Sequence, residues 1–358
     1  MKRDLFFSVI IPTYNRRDAL EQTIRCVLLQ SYPSHRYELI VVDDGSTDST
    51  GKYLQQLAFA GSLRFISQRN AGPAAARNAG AQIAHGEVLV FTDDDCLPEP
   101  GWLAALDAGY NNPYNQYRAA IGGPVRNQAS EHWLNRLAAV QEQHRSNDAE
   151  APEFLDTANA SYRRTVFLQV GGFREFLPFP SSEDTDLSLR CIMAGYALHS
   201  MPDAIVYHAG RTCLRSLLKQ SWLRGISEGY IRVMYATFRA FTPSEKWSGM
   251  VHLWLNRMVA LVDYTPLLIR PLIRGGIVSF RMALLTVSEM CFFFCTLLPR
   301  QVVRYHMQKS TSIHIGLYLL VESLCYLLRW MGRVVGTFRC EVRETGWQRI
   351  SRQFHENE

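Results

Sequence analysis

Glu87-Val88-Leu89-Val90-Phe91-Thr92-Asp93-Asp94-Asp95 joins an apolar run to three consecutive carboxylates. Bounded by Gly86 and by the acids, the run Val88–Phe91 reads as a buried strand. Its end delivers three negative charges to one point at the edge of a sheet. Like charges that close raise one another's pKa unless a positive group sits among them. The usual remedy is a divalent cation with hard oxygen ligands, and such a cation also holds substrate phosphates. The plainer alternative is a solvated acidic turn, and the acids alone do not separate the two.

Upstream, strand and helix alternate. Residues 6–11 form an apolar, β-branched run stopped by Pro12. Residues 17–30 place Leu20, Ile24, Val27 and Leu28 at helical spacing. Residues 38–42 are a second buried strand ending in Asp43-Asp44-Gly45-Ser46, with Thr47 or Asp48 as cap of the next helix. Residues 63–66 are a third strand, and the Ala-rich residues 74–84 a helix after Gly72-Pro73. This order predicts right-handed crossovers and a parallel sheet, and continuous apolar strands predict cover on both faces. Ligands bind such sheets beyond the carboxyl ends of the strands. There Pro12-Thr13-Tyr14-Asn15, Asp43-Asp44-Gly45-Ser46 and the three acids would line one crevice. No G-x-G-x-x-G follows the first strand and no G-x-x-x-x-G-K-[ST] occurs, which disfavours a classical dinucleotide fold and a P-loop nucleotidase.

Six stretches together resemble the inverting family 2 glycosyltransferases. They are Ser8-Val9-Ile10-Ile11-Pro12-Thr13-Tyr14-Asn15-Arg16, Val41-Val42-Asp43-Asp44-Gly45-Ser46-Thr47-Asp48, Gly72-Pro73-Ala74-Ala75-Ala76-Arg77-Asn78-Ala79-Gly80, Phe91-Thr92-Asp93-Asp94-Asp95, Gly171-Gly172-Phe173 and Glu183-Asp184-Thr185-Asp186-Leu187. They follow the family's order over residues 5–210. The resemblance implies a GT-A fold: an α/β architecture with a mixed, mainly parallel sheet and helices on both faces. It also implies a nucleoside-diphosphate-sugar donor.

By that resemblance Pro12, Thr13, Tyr14 and Asp44 surround the base and ribose, and a carboxylate able to accept a uracil N–H leans the base to UDP. A tight turn also favours Asp, Gly and Ser, so Asp43 is expected to be the more structural and Asp44 the more functional. Arg77 matches an arginine near the donor; a surface helix arginine is the alternative. Asp93 would touch ribose and Asp95 ligate Mn²⁺ or Mg²⁺ bridging the phosphates, with Asp94 beside them on the donor side. His208 is the second metal candidate, although a lone histidine is usually structural and such cations prefer carboxylate. Glu183 and Asp184 carry the chemistry, with Asp184 as the general base that takes the acceptor's proton. Ser182 would cap their helix, and first-turn acids stabilised by the helix dipole are the alternative. Asn159 would bind a sugar hydroxyl or pair a buried backbone group. His132, Trp133 and the polar residues to Asn147 would form a variable acceptor wall.

The 358 residues are 47% hydrophobic and 20% charged, enough to bury a large core. Residues 1–208 carry 18 Lys+Arg against 24 Asp+Glu, a balance of −6, and residues 209–358 carry 20 against 9, a balance of +11. That shift predicts a transferase domain over residues 1–210 and a basic, apolar, helical, membrane-associated region over 211–358. Its Leu and aromatic content fits an anionic membrane surface better than nucleic acid, which is not expected as a partner. Residues 214–241 read as a basic amphipathic helix. Residues 277–298 and 315–335 have the length of membrane spans but contain Arg281, Glu289, Glu322 and Arg329. Charge near the bilayer centre is costly, so in-plane helices are preferred, then a two-helix hairpin, then a soluble bundle. The eight cysteines form no C-x-x-C pair and read as reduced, buried thiols, and residues 1–12 do not read as a signal peptide.

Processive synthases of the family carry Q-x-x-R-W, which Gln220-Ser221-Trp222-Leu223-Arg224 does not match. The expectation is therefore a single transfer to a lipid-linked or glycan acceptor at the cytoplasmic face of a membrane. A catalytically silent membrane-bound scaffold of the same fold is the rival from another class. An enzyme that makes the donor would need a basic, Gly-rich loop after the first strand, and none is present.

Overall fold

The computed structural model describes residues 4–112, 118–128, 154–177, 182–208 and 213–235, with 152, 324, 327 and 331 as single positions. The chain divides into two compact units, residues 1–214 and 215–358. His132, Trp133 and the polar residues to Asn147 lie outside the described residues. So do 277–298, and all of 315–335 except Leu324, Leu327 and Met331.

In the first unit β1 (Phe7–Thr13) pairs in parallel with β2 (Tyr37–Asp43), in a register running from Phe7 opposite Tyr37 to Thr13 opposite Asp43. β3 (Arg64–Ser67) adds outside β2, and β4 (Val88–Phe91) lies on the other side of β1. Beyond β4 the sheet turns mixed. β8 (Ala160–Arg163) runs antiparallel to β4 and to β6 (Arg118–Gly122), and β9 (Ala197–Ser200) runs parallel to β6. The order is β3-β2-β1-β4-β8-β6-β9. A three-stranded sheet of order β5-β10-β7 joins Cys96–Pro98, Val206–His208 and Val125–Asn127.

The central strands are buried on both faces because alternate residues feed two cores. Phe7, Val9, Ile11, Val41 and Val90 pack with Leu20, Ile24 and Val27 of α1 (Arg17–Leu28), Leu54 of α2 (Thr50–Phe59), and Trp102 and Leu106 of α4 (Trp102–Asn111). Ile10, Ile40, Val42, Leu89 and Phe91 pack with Ala76 of α3 (Pro73–Ile83), Phe167 of α5 (Arg164–Gln169) and Leu187 of α6 (Glu183–Met193). Each fully buried Leu, Ile or Phe contributes about 1.5–3 kcal/mol.

Two local expectations change, and one left open between two residues is settled. Pro12 does not stop β1, which continues to Thr13. Pro12 faces the β4 side, where pairing has already ended at Ile10 opposite Phe91, so its missing N–H leaves no rung broken. Ser182 does not cap α6 with its side chain; it sits at φ 73, in the left-handed region. Asp48, not Thr47, receives the first N–H of α2, from Thr50 at 2.9 Å.

The helix α7 (Leu214–Met234) starts on the last residue of the first unit and otherwise belongs to the second; Leu214, Arg215 and Lys219 in its first two turns are exposed. Gly225, Ile226 and Ser227 are consecutive and all buried. Helical neighbours point about 100° apart, so this part is enclosed on several sides rather than along one amphipathic stripe. The side chain of Val233 and residues 236–241 of the expected helix lie outside the described residues. Among the described residues no helix is long and apolar enough to cross a membrane. Of the described cysteines, Cys96 and Cys191 are buried, Cys26 is half-buried and Cys213 is exposed, so burial does not hold for all.

Candidate active site

The acids leave the end of β4 in three directions. Thr92 fixes the departure: its N–H donates to Ile10 O at 3.3 Å and its hydroxyl to Ala158 O at 2.9 Å. Asp93 accepts from Arg77 Nη2 at 2.7 Å. Asp94 turns inward, accepting from Thr13 Oγ1 at 2.8 Å and Arg16 Nη1 at 3.0 Å. Asp95 accepts from Arg16 Nη2 at 2.7 Å, and its other oxygen lies 3.4 Å from His208 Nε2. The positive charge that the acids require is therefore divided between Arg77 and Arg16, with His208 beside the third acid. Burial, with Asp95 and Asp93 nearby, pushes the Asp94 carboxyl up to about 7, against the opposing pull of Arg16 and Thr13.

Arg77 is 3% exposed, not a surface helix arginine. Its Nη1 donates to Glu183 Oε1 at 2.9 Å, so one guanidinium bridges the tip of β4 and the first turn of α6. Its Nε and Glu183 Oε2 are buried with no hydrogen-bond partner among the described residues. Burial pushes the Glu183 carboxyl up and Arg77 holds it down. The Gly171-Gly172-Phe173 turn supports this bridge. Phe173 packs edge-on against Phe91 at 5.1 Å, and the Arg77 guanidinium lies 5.6 Å from its ring centre. Asn78 fixes the Phe173 backbone, donating to its carbonyl at 2.8 Å and accepting its N–H at 2.9 Å. Arg190 ties α6 to the same turn through the carbonyls of Val170 and Gly172.

At the ends of β1 and β2, Tyr14 is 46% exposed and offers an aromatic face. Asp43 accepts from Ser46 N at 2.9 Å and Ser67 Oγ at 3.2 Å. Asp44, expected to be the more functional of the pair, is equally an anchor. It accepts from Gln68 Nε2, Ala71 N and Gly72 N at 2.7–2.9 Å. A carboxylate accepts about four bonds, and Asp44 is 4% exposed, so little of it remains for a base. Gly45 makes this turn possible: φ is +82° and a Cβ would stand 2.9 Å from Asn70 N.

His208 reaches Asp95 because β10 pairs with β5, putting His208 opposite Cys96. Donor atoms of Asp95, Cys96 and His208 lie within 4.8 Å of one another. Burial and the nearby acids push the Cys96 thiol well up, and cations that prefer carboxylate, carbonyl and water oxygens take a sulfur ligand less readily. One carboxylate oxygen and one imidazole nitrogen remain, facing each other at 3.4 Å. That pair fits a divalent cation whose remaining positions are filled by phosphate oxygens and water.

Asp184 is half-buried, one oxygen accepting Thr185 N–H at 2.7 Å. Glu183, expected to share the chemistry, is 5% exposed with one oxygen on Arg77, a geometry for positioning. Of the two roles expected for Asn159, a sugar contact or the pairing of buried backbone groups, the structure shows the second. Asn159 is 0% exposed, accepts from Trp102 Nε1 at 2.8 Å, and donates to Pro124 O at 3.1 Å and Ala204 O at 2.7 Å. It knits the small sheet to α4. Arg16 was not singled out from sequence, although it closes one of the six motifs.

An open, mainly parallel sheet with acids at the tip of a central strand defines a glycosyltransferase of the GT-A type. Consistent with this, the solved structure of a mannosyltransferase from Pyrobaculum calidifontis in complex with GDP-Man and Mn²⁺ superposes with a TM-score of 0.58, at 18% identity, over 93% of this chain and 87% of that one. The chain belongs to glycosyl transferase family group 2, whose model matches residues 90–307, and the model of glycosyl transferase family 2 matches residues 8–171. The glycosyltransferase AglE of Haloferax volcanii is 29% identical over 221 residues, 60% of this chain and 70% of that protein. The glucosyl-dolichyl phosphate glucuronosyltransferase of the same organism is 28% identical over 180 residues, 46% of this chain and 55% of that protein.

Proposed function

We propose that this glycosyltransferase moves one sugar from a nucleoside diphosphate to a hydroxyl of a lipid-linked or glycan acceptor, with inversion at the anomeric carbon. The observation that carries this reading is the Asp93–Arg77–Glu183 bridge. It ties the acids on the donor side to the turn that presents Asp184. Thr13 and Tyr14 border the base and ribose, and Asp93 the ribose. Asp95 and His208 would hold Mn²⁺ or Mg²⁺, which when bound offsets the charge developing on the leaving diphosphate. Asp184 takes the acceptor's proton as its oxygen attacks from the face opposite that diphosphate. Glu183 and Arg77 hold Asp184's turn in place. The Mn²⁺ and GDP-Man of the mannosyltransferase complex and the dolichyl phosphate in a relative's name support the donor class, the cation and the lipid-linked acceptor. The unmatched Q-x-x-R-W supports a single transfer, and the +11 balance of residues 209–358 supports the cytoplasmic face of a membrane.

Because Asp44 is largely taken by residues 68–72, UDP and GDP donors enter the test on equal terms. Full-length protein in detergent is incubated with UDP-, GDP- and dTDP-sugars, with and without Mn²⁺ or Mg²⁺, and released nucleoside diphosphate is assayed. Release from one donor that requires metal and is lost in Asp184→Asn and Asp95→Ala is the expected result. No binding of any donor by calorimetry would refute the reading and favour a silent scaffold.

A further inference from the structure

Arg16 stands on the rim of the site with its guanidinium forked over two carboxylates, 3.0 Å from Asp94 and 2.7 Å from Asp95. The two acids are nearly covered, at 7% and 11%, while the Arg16 side chain is 48% exposed. Its backbone is fixed on both sides. Asn15, at φ 53, accepts the N–H groups of Thr47 and Asp48 at 2.7 and 3.3 Å. The carbonyl of Arg16 accepts the Leu20 N–H at 3.0 Å, inside α1. The long side chain, with water on one side, is the part free to change partners.

Asp95 is contested. The oxygen opposite Arg16 faces His208, and a cation held there would share one carboxylate with a guanidinium. Two positive charges that close repel unless more negative charge arrives. A nucleoside diphosphate brings that charge, in a shape that a guanidinium fork matches as well as it matches carboxylates.

Resting on the donor class proposed above, we propose that Arg16 is a diphosphate-binding residue held in reserve on Asp94 and Asp95. It neutralises the acid tip before the donor arrives. When a divalent cation takes Asp95, Arg16 exchanges the carboxylates for the donor's phosphate oxygens. No covalent bond changes in this step. The cation replaces the guanidinium at Asp95, and the diphosphate answers both positive charges.

Calorimetry on the full-length chain tests this with Mn²⁺ alone, then with UDP or GDP at saturating Mn²⁺. Arg16→Gln removes a competitor, so Mn²⁺ binds about two- to fivefold tighter, the range of a half-exposed ion pair. The same variant loses a charged hydrogen-bonding partner of the phosphates, so the diphosphate binds about tenfold more weakly. Arg16→Lys keeps the charge without the fork and lies between on the second measurement. It also carries the test if Arg16→Gln melts early. A merely structural Arg16 would weaken both affinities or leave both unchanged, and either result overturns the proposal. If the wild-type chain binds neither Mn²⁺ nor a nucleoside diphosphate, the donor reading falls too; if it binds both and the variants match it, only the assignment to Arg16 falls.

Discussion

Asp93, Asp94 and Asp95 are neighbours in sequence yet end on different partners, and those partners explain what each substitution should do. Arg77 is buried between two carboxylates, so Arg77→Met leaves Asp93 and Glu183 uncompensated. A broken buried pair costs about 3–5 kcal/mol, to be read as a lower urea midpoint, with Glu183→Gln in the same chain restoring part of it. Asp94 sets a pH dependence. Its carboxyl is raised to about 7 from an ordinary value of 3.8, so its protonated form is favoured by folding. The stability it contributes is full below about pH 4 and is lost as pH rises through about 7. Without added metal, wild-type protein should therefore lose more stability between pH 5 and pH 8 than Asp94→Asn, which stays uncharged. These residues were legible as types but not as pairs. Arg16 and Arg17 are adjacent, yet Arg17 turns to Asp18 and Glu21 on its own helix while Arg16 crosses to the acids, 78 and 79 positions away. Nothing local in the sequence encodes which of two successive arginines makes that crossing.

The elements most readable from sequence were those with an uninterrupted apolar run or a long periodic signal: β1, β2, β4 and α1, whose apolar positions recur in the observed cores. Strands that are both short and without an apolar run, such as β5, β7 and β8, offer too little pattern to be recognised. Pairing with distant partners makes them. Helix α3 shows how packing limits composition. A Cβ on Gly80 would stand 2.5 Å from Ile10 Cγ2, because this helix lies against β1. Gly80→Val should cost about 1–3 kcal/mol by overpacking and weaken donor binding as well, since α3 carries Arg77. Gly101→Ala, with nothing within 4 Å of the new carbon, should change the urea midpoint little and serves as the control.

Across the whole chain, the composition shift near residue 210 was legible without any structure, because net charge needs no contacts to be counted. The two units meet at residues 214 and 215, and every candidate site residue lies in the first. A chain ending at Leu214 should fold cooperatively and bind Mn²⁺ with a nucleoside diphosphate. It should also fail to sediment with vesicles containing anionic lipid, whereas the full-length chain sediments and is released by salt. Equal sedimentation of both would remove the membrane role proposed for the basic half.

Asn159 joins the side chain of Trp102 to the carbonyls of Pro124 and Ala204, a few residues from His208. Its loss would leave Trp102 Nε1 and the Ala204 carbonyl unmet, each costing about 1–3 kcal/mol, while the Pro124 carbonyl keeps the N–H of Val206. In a genetic screen for inactive alleles, Asn159→Ala would therefore score beside Asp95→Ala although it touches no substrate. A melting curve tells the two apart: the first allele is inactive because it is unfolded at the growth temperature, the second while still folded.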